Sequence, residues 1–167
     1  MPYSLHNLND LLVNDFKDKH IWQTVFDVWI WAGRTYDLLR KYSWRMEGIE
    51  IHRIYIPEFD LEAKYDQVYV WDVLQHTFLK HYDVVVLGDV LEHLGRDEAK
   101  TLLANLKKIC NAIYVQIPYL HTQWVEFNNI YEVHKQNDLT HDLFMEEFPW
   151  FKLLWKDFIL WLYKWQS

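Results

Sequence analysis

Runs of β-branched and aromatic residues alternate with helical patterns from the start of the chain through residue 118. The apolar runs predict buried strands at 24–30, 45–51, 67–73, 84–87 and 112–118. The segments with helical spacing are 3–20, 34–43 and 96–110. This alternation constrains the fold more than any other feature, because parallel strands need a crossover between them, and the crossover is usually a helix.

The C-terminal part of the chain has a different order of elements. Residues 140–148 predict a helix with Thr140 as its N-cap, because a threonine side chain can accept a hydrogen bond from the first turn. Two strands, 151–157 and 158–165, then follow without a helix between them, which indicates a hairpin. The sequence therefore predicts an α/β fold with a doubly wound, mostly parallel sheet and a C-terminal antiparallel hairpin strand.

A length of 167 residues fits one domain, 1–167, that begins with a helical segment over 1–21. Apolar residues make up 51% of the chain, which argues against disorder. Residues 119–139 have little periodicity, although they lie within the domain. Long loops of this kind tend to be functional, and we expect this one to lie over a binding pocket.

Charge, hydropathy and cysteine content argue against several classes of partner and location. The net charge is −7 and the basic residues are scattered, so we expect no nucleic-acid partner. No apolar run reaches the 18 residues or so that a membrane helix needs, and no signal peptide is visible, so we expect a cytoplasmic protein without membrane contact. Cys110 is the only cysteine and is predicted to be a buried, inert thiol.

One stretch, "YDVVVLGDVLEHL" at 82–94, combines a buried strand with an acidic exit and a following Glu-His pair. The segments "VFDV", "GIEI", "VWDV" and "IYVQIP" surround it in a characteristic order and spacing. From about residue 22 onward the chain resembles the class I S-adenosylmethionine-dependent methyltransferases. The resemblance implies a Rossmann-like fold, S-adenosyl-L-methionine as cofactor, and methyl transfer to a small-molecule acceptor.

The resemblance also implies roles for two acidic residues near the ends of the first two strands. Asp27 would face the amino group of the methionine part, directly or through water. Glu50 would accept hydrogen bonds from both ribose hydroxyls, in the manner of a paired charge-assisted contact. The alternatives are a capping or loop carboxylate at Asp27 and a solvated charge at Glu50.

Four further positions would bind the cofactor at the ends of the third and fourth strands. Asp72 would accept from the adenine amino group and Val73 would contribute its backbone N–H. Gly88 and Asp89 would line the methionine end. Asp72 is equally well explained as a turn residue, and Asp89 as a structural carboxylate.

The first cofactor loop departs from the family pattern of an acidic residue followed by three alternating glycines. Aligning Asp27 with the acidic position puts Trp29 and Trp31 on the first two glycines and leaves only Gly33. Those glycines permit positive φ and a close approach of the backbone to the ligand. A tryptophan at positive φ costs about 1–3 kcal/mol, and its ring can obstruct the cofactor site.

Two functional classes therefore compete, with a third reading behind them. The first is an active methyltransferase, favoured by the acidic positions. The second is an inactive or engineered protein of the same fold that acts as a scaffold or interaction module, favoured by Trp29 and Trp31. A dinucleotide-dependent oxidoreductase is a weaker reading, because the G-x-G-x-x-G fingerprint is absent.

His134, in the long loop, is the candidate catalytic residue, because an imidazole can deprotonate an acceptor hydroxyl. The alternative is an ordinary histidine in a surface loop. Tyr119, His121 and Tyr131 are weaker candidates for the same wall. No histidine and cysteine cluster has zinc spacing, so the sequence predicts no metal site. The aromatic C-terminal strands offer a surface for a homodimer.

Overall fold

The computed structural model describes residues 6–123, 129–156 and 160–167. Three parts of the predicted elements lie outside the described residues. They are the start of the N-terminal helical segment (1–5), part of the long loop (124–128) and residues 157–159, where the two predicted C-terminal strands (151–157 and 158–165) meet.

Seven strands form one sheet in the order β3-β2-β1-β4-β5-β7-β6. The strands are β1 (Gln23–Val28), β2 (Ser43–Glu50), β3 (Gln67–Val70), β4 (Tyr82–Gly88), β5 (Cys110–Pro118), β6 (Lys152–Lys156) and β7 (Leu160–Gln166). The first five strands are parallel to one another, whereas β7 is antiparallel to both β5 and β6. The predicted fold class is confirmed, including the antiparallel C-terminal hairpin.

The helices pack on both faces of this sheet. They are α1 (His6–Lys19), α2 (Arg34–Leu39), α3 (Tyr55–Glu58), α4 (Leu61–Lys64), α5 (Arg96–Leu106) and α6 (His141–Glu147). Short 3₁₀ turns cover Arg40–Tyr42, Leu91–His93 and Ile130–Glu132. Each apolar face of the sheet is therefore covered by helices, as a doubly wound sheet requires.

Alternate residues of β4 show how the two hydrophobic cores are divided. Val85 and Leu87 belong to the core that α5 and α6 cover, whereas Val84 and Val86 belong to the core on the face of α1 to α4. This alternation follows from the period of two in a strand, where successive side chains point to opposite faces. A strand that is apolar at every position is therefore buried on both faces.

Two local predictions can be compared with the structure directly. The Thr140 Oγ1 accepts a hydrogen bond from the Leu143 N–H at 3.3 Å, so the predicted N-cap of α6 is confirmed. Cys110 is buried, and burial raises the pKa of its thiol to about 12, which keeps the thiol protonated and inert. Within the described residues, no helix is long and apolar enough to span a membrane.

Candidate functional site

The strand order reverses between β1 and β4, and this is where ligands bind in open α/β sheets. From β1 the chain proceeds outward through β2 to β3, then returns to place β4 on the other side of β1. The loops that leave the carboxyl ends of β1 and β4 therefore diverge and open a cleft.

A cavity of about 160 Å³ lies in this cleft, and we call it the switch-point cavity. Its wall includes Trp29 and Trp31 from the loop after β1, Gly88 and Asp89 from the end of β4, and His134 from the long loop. His134 is one of the residues 119–139, which the sequence predicts to lie over a pocket.

A second cavity of about 250 Å³ lies toward β3, and we call it the β3-side cavity. Its wall includes Asp72, Val73 and Tyr131. Trp29 and His93 line both cavities, and their ring centroids are 4.5 Å apart. The two rings therefore form a partition between the cavities.

The loop after β1 has an unusual backbone. Trp29 has φ 62°, Trp31 has φ 41° and Gly33 has φ 80°. All three lie in the left-handed region, where only glycine is free of a steric penalty. The loop is fixed to β2, because the N–H groups of Trp29 and Ile30 both donate to the Ile49 carbonyl, at 2.9 and 3.2 Å.

The two tryptophan rings of this loop lie in different surroundings. Trp29 lies against His93, as described above. Trp31 packs against Phe59 and Tyr55, with ring centroids 5.7 and 6.5 Å away. The first ring therefore divides the cleft, whereas the second covers one side of the switch-point cavity.

Asp27 is buried at the end of β1, with 1% of its surface exposed. Its Oδ2 accepts a hydrogen bond of 2.5 Å from the Tyr65 hydroxyl. Burial raises the pKa of Asp27 to about 7, although hydrogen bonds from Tyr65 and Thr35 oppose the shift. Among the described residues that line the two cavities, Asp27 is absent.

Glu50 is also fully buried, and its carboxylate accepts hydrogen bonds from two nearby backbone N–H groups. Oε2 accepts from the Trp31 N–H at 3.0 Å and Oε1 accepts from the His52 N–H at 2.7 Å. Burial raises the pKa of Glu50 to about 7 against these two bonds. Glu50 therefore holds the first loop in place, and it is not among the described residues that line either cavity.

The other two strand-end carboxylates line the cavities. Asp72 lines the β3-side cavity, and its Oδ1 accepts from the Leu74 N–H at 2.9 Å, so it is also a turn residue. Asp89 lines the switch-point cavity at φ 54° and accepts from the Gln116 side-chain amide at 3.1 Å. The structure thus brings Asp72 and Asp89 to opposite sides of the partition.

Arg34 was missed by sequence reasoning, because one arginine at a helix start carries no distinctive signal. Its Nη1 lies 3.9 Å from the Asp89 carboxylate and its Nη2 donates to the Gln116 amide oxygen at 3.4 Å. Burial raises the pKa of Asp89, and the Arg34 charge opposes that rise. Among the described residues of the switch-point cavity, Arg34 alone carries a guanidinium or ammonium group.

His134 is buried, with 5% of its surface exposed, so the alternative of a surface-loop histidine is wrong. Its Nδ1 lies 2.8 Å from the His121 carbonyl oxygen, and its ring meets that of His93 at a centroid distance of 4.7 Å. Glu92 lies beside these two rings. The pair Glu92 and His93 was visible in the sequence, but nothing local placed His134 next to it.

The weaker candidates lie in three different places. His121 lines the switch-point cavity and Tyr131 lines the β3-side cavity. Tyr119 is buried in the core, where its hydroxyl donates to the Tyr163 hydroxyl at 2.7 Å. The Tyr119 hydroxyl is therefore committed to a structural bond.

Solved structures with a similar fold include several methyltransferases. The DhpI–SAH complex superposes with a TM-score of 0.75 at 10% identity, over 95% of this chain and 83% of that one. The N-terminal domain of EvdMO1, solved in the presence of SAH and D-fucose, gives 0.72 at 14% identity over 98% and 84%. A S-adenosylmethionine-dependent methyltransferase from Clostridium acetobutylicum gives 0.71 at 8% identity over 95% and 91%.

This is the class I methyltransferase fold. No protein-family model matches the sequence, and no curated protein matches it significantly. The likeness to methyltransferases therefore lies in the fold, at sequence identities too low to carry residue roles across.

Proposed function

We propose that this protein transfers a methyl group from S-adenosyl-L-methionine to a small-molecule acceptor. The observation that carries the proposal is the position of Asp72 and Asp89. They line two neighbouring cavities at the carboxyl ends of β3 and β4, beside the reversal of strand order. Fold neighbours that were solved with SAH or SAM bound support the same cofactor.

The two cavities differ in a way that suits the two ends of this cofactor. In the β3-side cavity, the Asp72 carboxylate would accept from the adenine amino group and Val73 would offer its N–H. In the switch-point cavity, Asp89 beside Gly88 would face the methionine amino group. The Arg34 guanidinium would face the methionine carboxylate, because a guanidinium binds carboxylates through paired hydrogen bonds.

The middle of the cleft fits the cofactor only after a rearrangement. The rings of Trp29 and His93 stand between the two cavities, and neither cavity alone reaches the roughly 300–1,000 Å³ typical of small-molecule sites. We propose that the Trp29 ring leaves the partition when the cofactor binds. Asp27 and Glu50 would reach the cofactor only if the first loop moved with it, since both now bind the chain itself.

When bound, S-adenosyl-L-methionine supplies a methyl group on a positively charged sulfur, which an acceptor oxygen or nitrogen can attack. The protein's part is then to orient the two reactants and to remove the acceptor's proton. His134 is the candidate for this proton transfer, because its buried ring lines the switch-point cavity beside Asp89. The small volume of that cavity favours a small acceptor.

A second candidate function is supported by the partition itself. If the Trp29 and His93 rings stay together, the cleft stays divided and the protein is a scaffold or interaction module with a methyltransferase fold. The buried positions of Asp27 and Glu50, each bound to other parts of the chain, favour this candidate. Binding of the cofactor product separates the two functions.

The test is a calorimetric titration of the full chain with S-adenosylhomocysteine. We expect one site per chain, with affinity at least tenfold weaker in Asp72→Asn and in Asp89→Asn. The matched control is Asp138→Asn, since the Asp138 side chain is 73% exposed and lies outside both cavities. Binding that is equally tight in all four proteins would contradict the site, and no binding by the parent would favour the scaffold.

Two further parts of the proposal concern the state of the protein in the cell. A cytoplasmic location is supported by the single, buried Cys110.

A homodimer through the C-terminal strands is supported by β6, an edge strand of the sheet with half-buried apolar residues. Light scattering on the purified chain measures the second part.

A further inference from the structure

Glu92 places a buried carboxylate at the wall of the switch-point cavity. Glu92 lies in the 3₁₀ turn after β4, lines the switch-point cavity and is 1% exposed. Neither of its side-chain oxygens has a hydrogen-bond partner among the described residues. Such a group is costly to bury, and each instance in a folded protein needs an explanation.

Two imidazoles stand next to this carboxylate. The ligand atoms that Glu92, His93 and His134 offer all lie within 4.8 Å of one another, and all three residues are buried. The His93 Nε2 is 3.9 Å from the Glu92 Oε1, which is too far for a hydrogen bond. The Glu92 carboxylate therefore faces two imidazoles without a hydrogen bond to either, which is the arrangement of a ligand set around a shared point.

The ring orientations of both histidines fit such a set. The Nδ1 of His134 lies 2.8 Å from the His121 carbonyl oxygen, and the Nδ1 of His93 lies 3.3 Å from the Val133 carbonyl oxygen. A carbonyl oxygen only accepts, so each Nδ1 carries the hydrogen, and Nε2 is the lone-pair nitrogen of the neutral ring. A backbone carbonyl that fixes the tautomer in this way is the usual outer partner of a metal-binding histidine.

The charge balance of the cluster points the same way. Burial lowers the pKa of His93 to about 3, and the nearby His134 adds to this shift, so the His93 ring stays neutral and able to bind a cation. Burial raises the pKa of Glu92 well above its ordinary value, and the negative charges of Asp89 and Glu132 add to that rise. A bound cation would offset this crowding of negative charge.

We propose that Glu92, His93 and His134 bind one divalent transition-metal cation at the wall of the switch-point cavity. Two imidazoles and one carboxylate suit Zn²⁺ or Fe²⁺, whereas Mg²⁺ prefers oxygen ligands throughout. In a tetrahedral site with bonds of about 2.0–2.2 Å, the ligand atoms lie roughly 3.3 Å apart, so these side chains need to close by up to about 1.5 Å. All three residues line the switch-point cavity, from which an acceptor could reach the cation.

The cation would change how an acceptor is activated, and this consequence rests on the proposed function. A cation on the His134 Nε2 takes that nitrogen away from proton transfer. An acceptor hydroxyl bound to the cation would instead release its proton to water more readily, because a metal ion lowers the pKa of an oxygen ligand. Cation binding itself does not depend on methyl transfer.

The test is a titration of the full chain, freed of metal with EDTA and then dialysed, with Co²⁺ as a spectroscopic probe and Zn²⁺ as its competitor. We expect one Co²⁺ per chain with ligand-field absorption bands, displaced by Zn²⁺. Glu92→Gln and His134→Asn should each weaken binding at least tenfold. The matched control is His81→Gln, since His81 is exposed and lies outside the cluster.

A stability measurement guards against a variant that fails to fold. In EDTA, Glu92→Gln should unfold at the same temperature as the parent or a higher one, because it replaces a buried carboxyl that lacks hydrogen-bond partners among the described residues by a neutral amide of the same shape. With Zn²⁺, the unfolding temperature of the parent should rise while that of Glu92→Gln stays unchanged. Co²⁺ binding that Glu92→Gln leaves unaltered, or no stoichiometric uptake by the parent, would overturn the cation site.

The S-adenosylhomocysteine titration, repeated in EDTA, separates this proposal from the proposed function. Binding of S-adenosylhomocysteine without Co²⁺ uptake would overturn the cation site alone. Co²⁺ uptake without S-adenosylhomocysteine binding would overturn the methyl-transfer proposal alone.

Discussion

The indole of Trp29 lies against the imidazole of His93, with ring centroids 4.5 Å apart and ring planes inclined by 47°. Both side chains line the switch-point cavity and the β3-side cavity. Trp29 holds this position from a backbone at φ 62°, where a side chain is disfavoured. The cleft is thus divided by a residue whose own conformation is strained.

Backbone strain of this kind can be measured at Trp22, away from the cleft. Trp22 has φ 61° and is 66% exposed, so its ring contributes little packing. We expect Trp22→Gly to raise the free energy of unfolding by up to about 1 kcal/mol, because relief of roughly 1–2 kcal/mol exceeds the added entropy of glycine in the unfolded chain. Urea denaturation measures the change.

The control for this prediction is Trp44→Gly. Trp44 is 72% exposed, but it lies within β2 and its φ is not positive. Glycine should therefore destabilise the strand, lowering the free energy of unfolding by about 0.5–1 kcal/mol. A loss of stability in both variants would show that Trp22 is not strained.

A second prediction concerns Gly48 on β2, which packs against Ile30 of the loop after β1. A Cβ at this position would overlap the Ile30 Cγ2, and the branched Ile30 side chain has little freedom to move away. We expect Gly48→Ala to lower the free energy of unfolding by about 1–3 kcal/mol. Thermal or urea unfolding provides the measurement.

Gly88→Ala is the matched control, because a Cβ at Gly88 would meet no atom within 4 Å. Its free energy of unfolding should stay within about 0.5 kcal/mol of the parent value. Gly88 also lines the switch-point cavity, so the added methyl group should weaken S-adenosylhomocysteine binding without loss of stability. Equal stability of the two alanine variants would contradict the packing described around Ile30.

The buried Asp27 carboxyl should make stability depend on pH. Its pKa in the folded chain is raised to about 7 from an ordinary value of 3.8, so between about pH 4 and pH 7 the folded chain binds more protons than the unfolded one. The contribution of Asp27 to stability therefore falls as pH rises through that window. The free energy of unfolding of Asp27→Asn, measured relative to that of the parent, should therefore rise between about pH 5 and pH 8, by at most about 1.4 kcal/mol per pH unit.

Glu47 provides a contrast of opposite sign. Burial raises its pKa, but hydrogen bonds led by Lys80 and Arg45 outweigh burial and lower the pKa to about 2. The contribution of Glu47 to stability is lost only as pH falls below about 4.5. Glu47→Gln should therefore lower the free energy of unfolding by the same amount at about pH 5 and pH 8. If the difference in unfolding free energy between Asp27→Asn and the parent does not change between about pH 5 and pH 8, Asp27 is ionised in the folded chain.

The strand and helix order could be predicted from the sequence because it is carried by local patterns. The apolar run at 84–87, the N-cap at Thr140 and the hairpin without an intervening helix each depend on neighbouring residues. The helices α3 and α4 were missed, since four residues are too few to show a helical period.

The candidate site was harder to predict, because side-chain partners come from distant parts of the chain. Strand topology alone brings Asp72 and Asp89 to the cleft, so both could be expected there. The Tyr65 hydroxyl that binds Asp27, and the Trp31 N–H that binds Glu50, belong to contacts that no local pattern reveals. The meeting of His134 with Glu92 is of the same kind.

The most direct measurement of the central claim compares S-adenosylhomocysteine binding by the parent and by Trp29→Gly. The parent should bind only in the fraction of molecules whose Trp29 ring has left the partition, which weakens its apparent affinity. We predict that Trp29→Gly binds at least tenfold more tightly, that Trp29→Gly/Trp31→Gly binds at least as tightly as Trp29→Gly, and that the exposed-site variant Trp44→Gly matches the parent. Two results would contradict a single cofactor cleft divided by Trp29. One is that neither the parent nor either glycine variant of the loop binds S-adenosylhomocysteine. The other is that the parent and Trp29→Gly bind it with equal affinity.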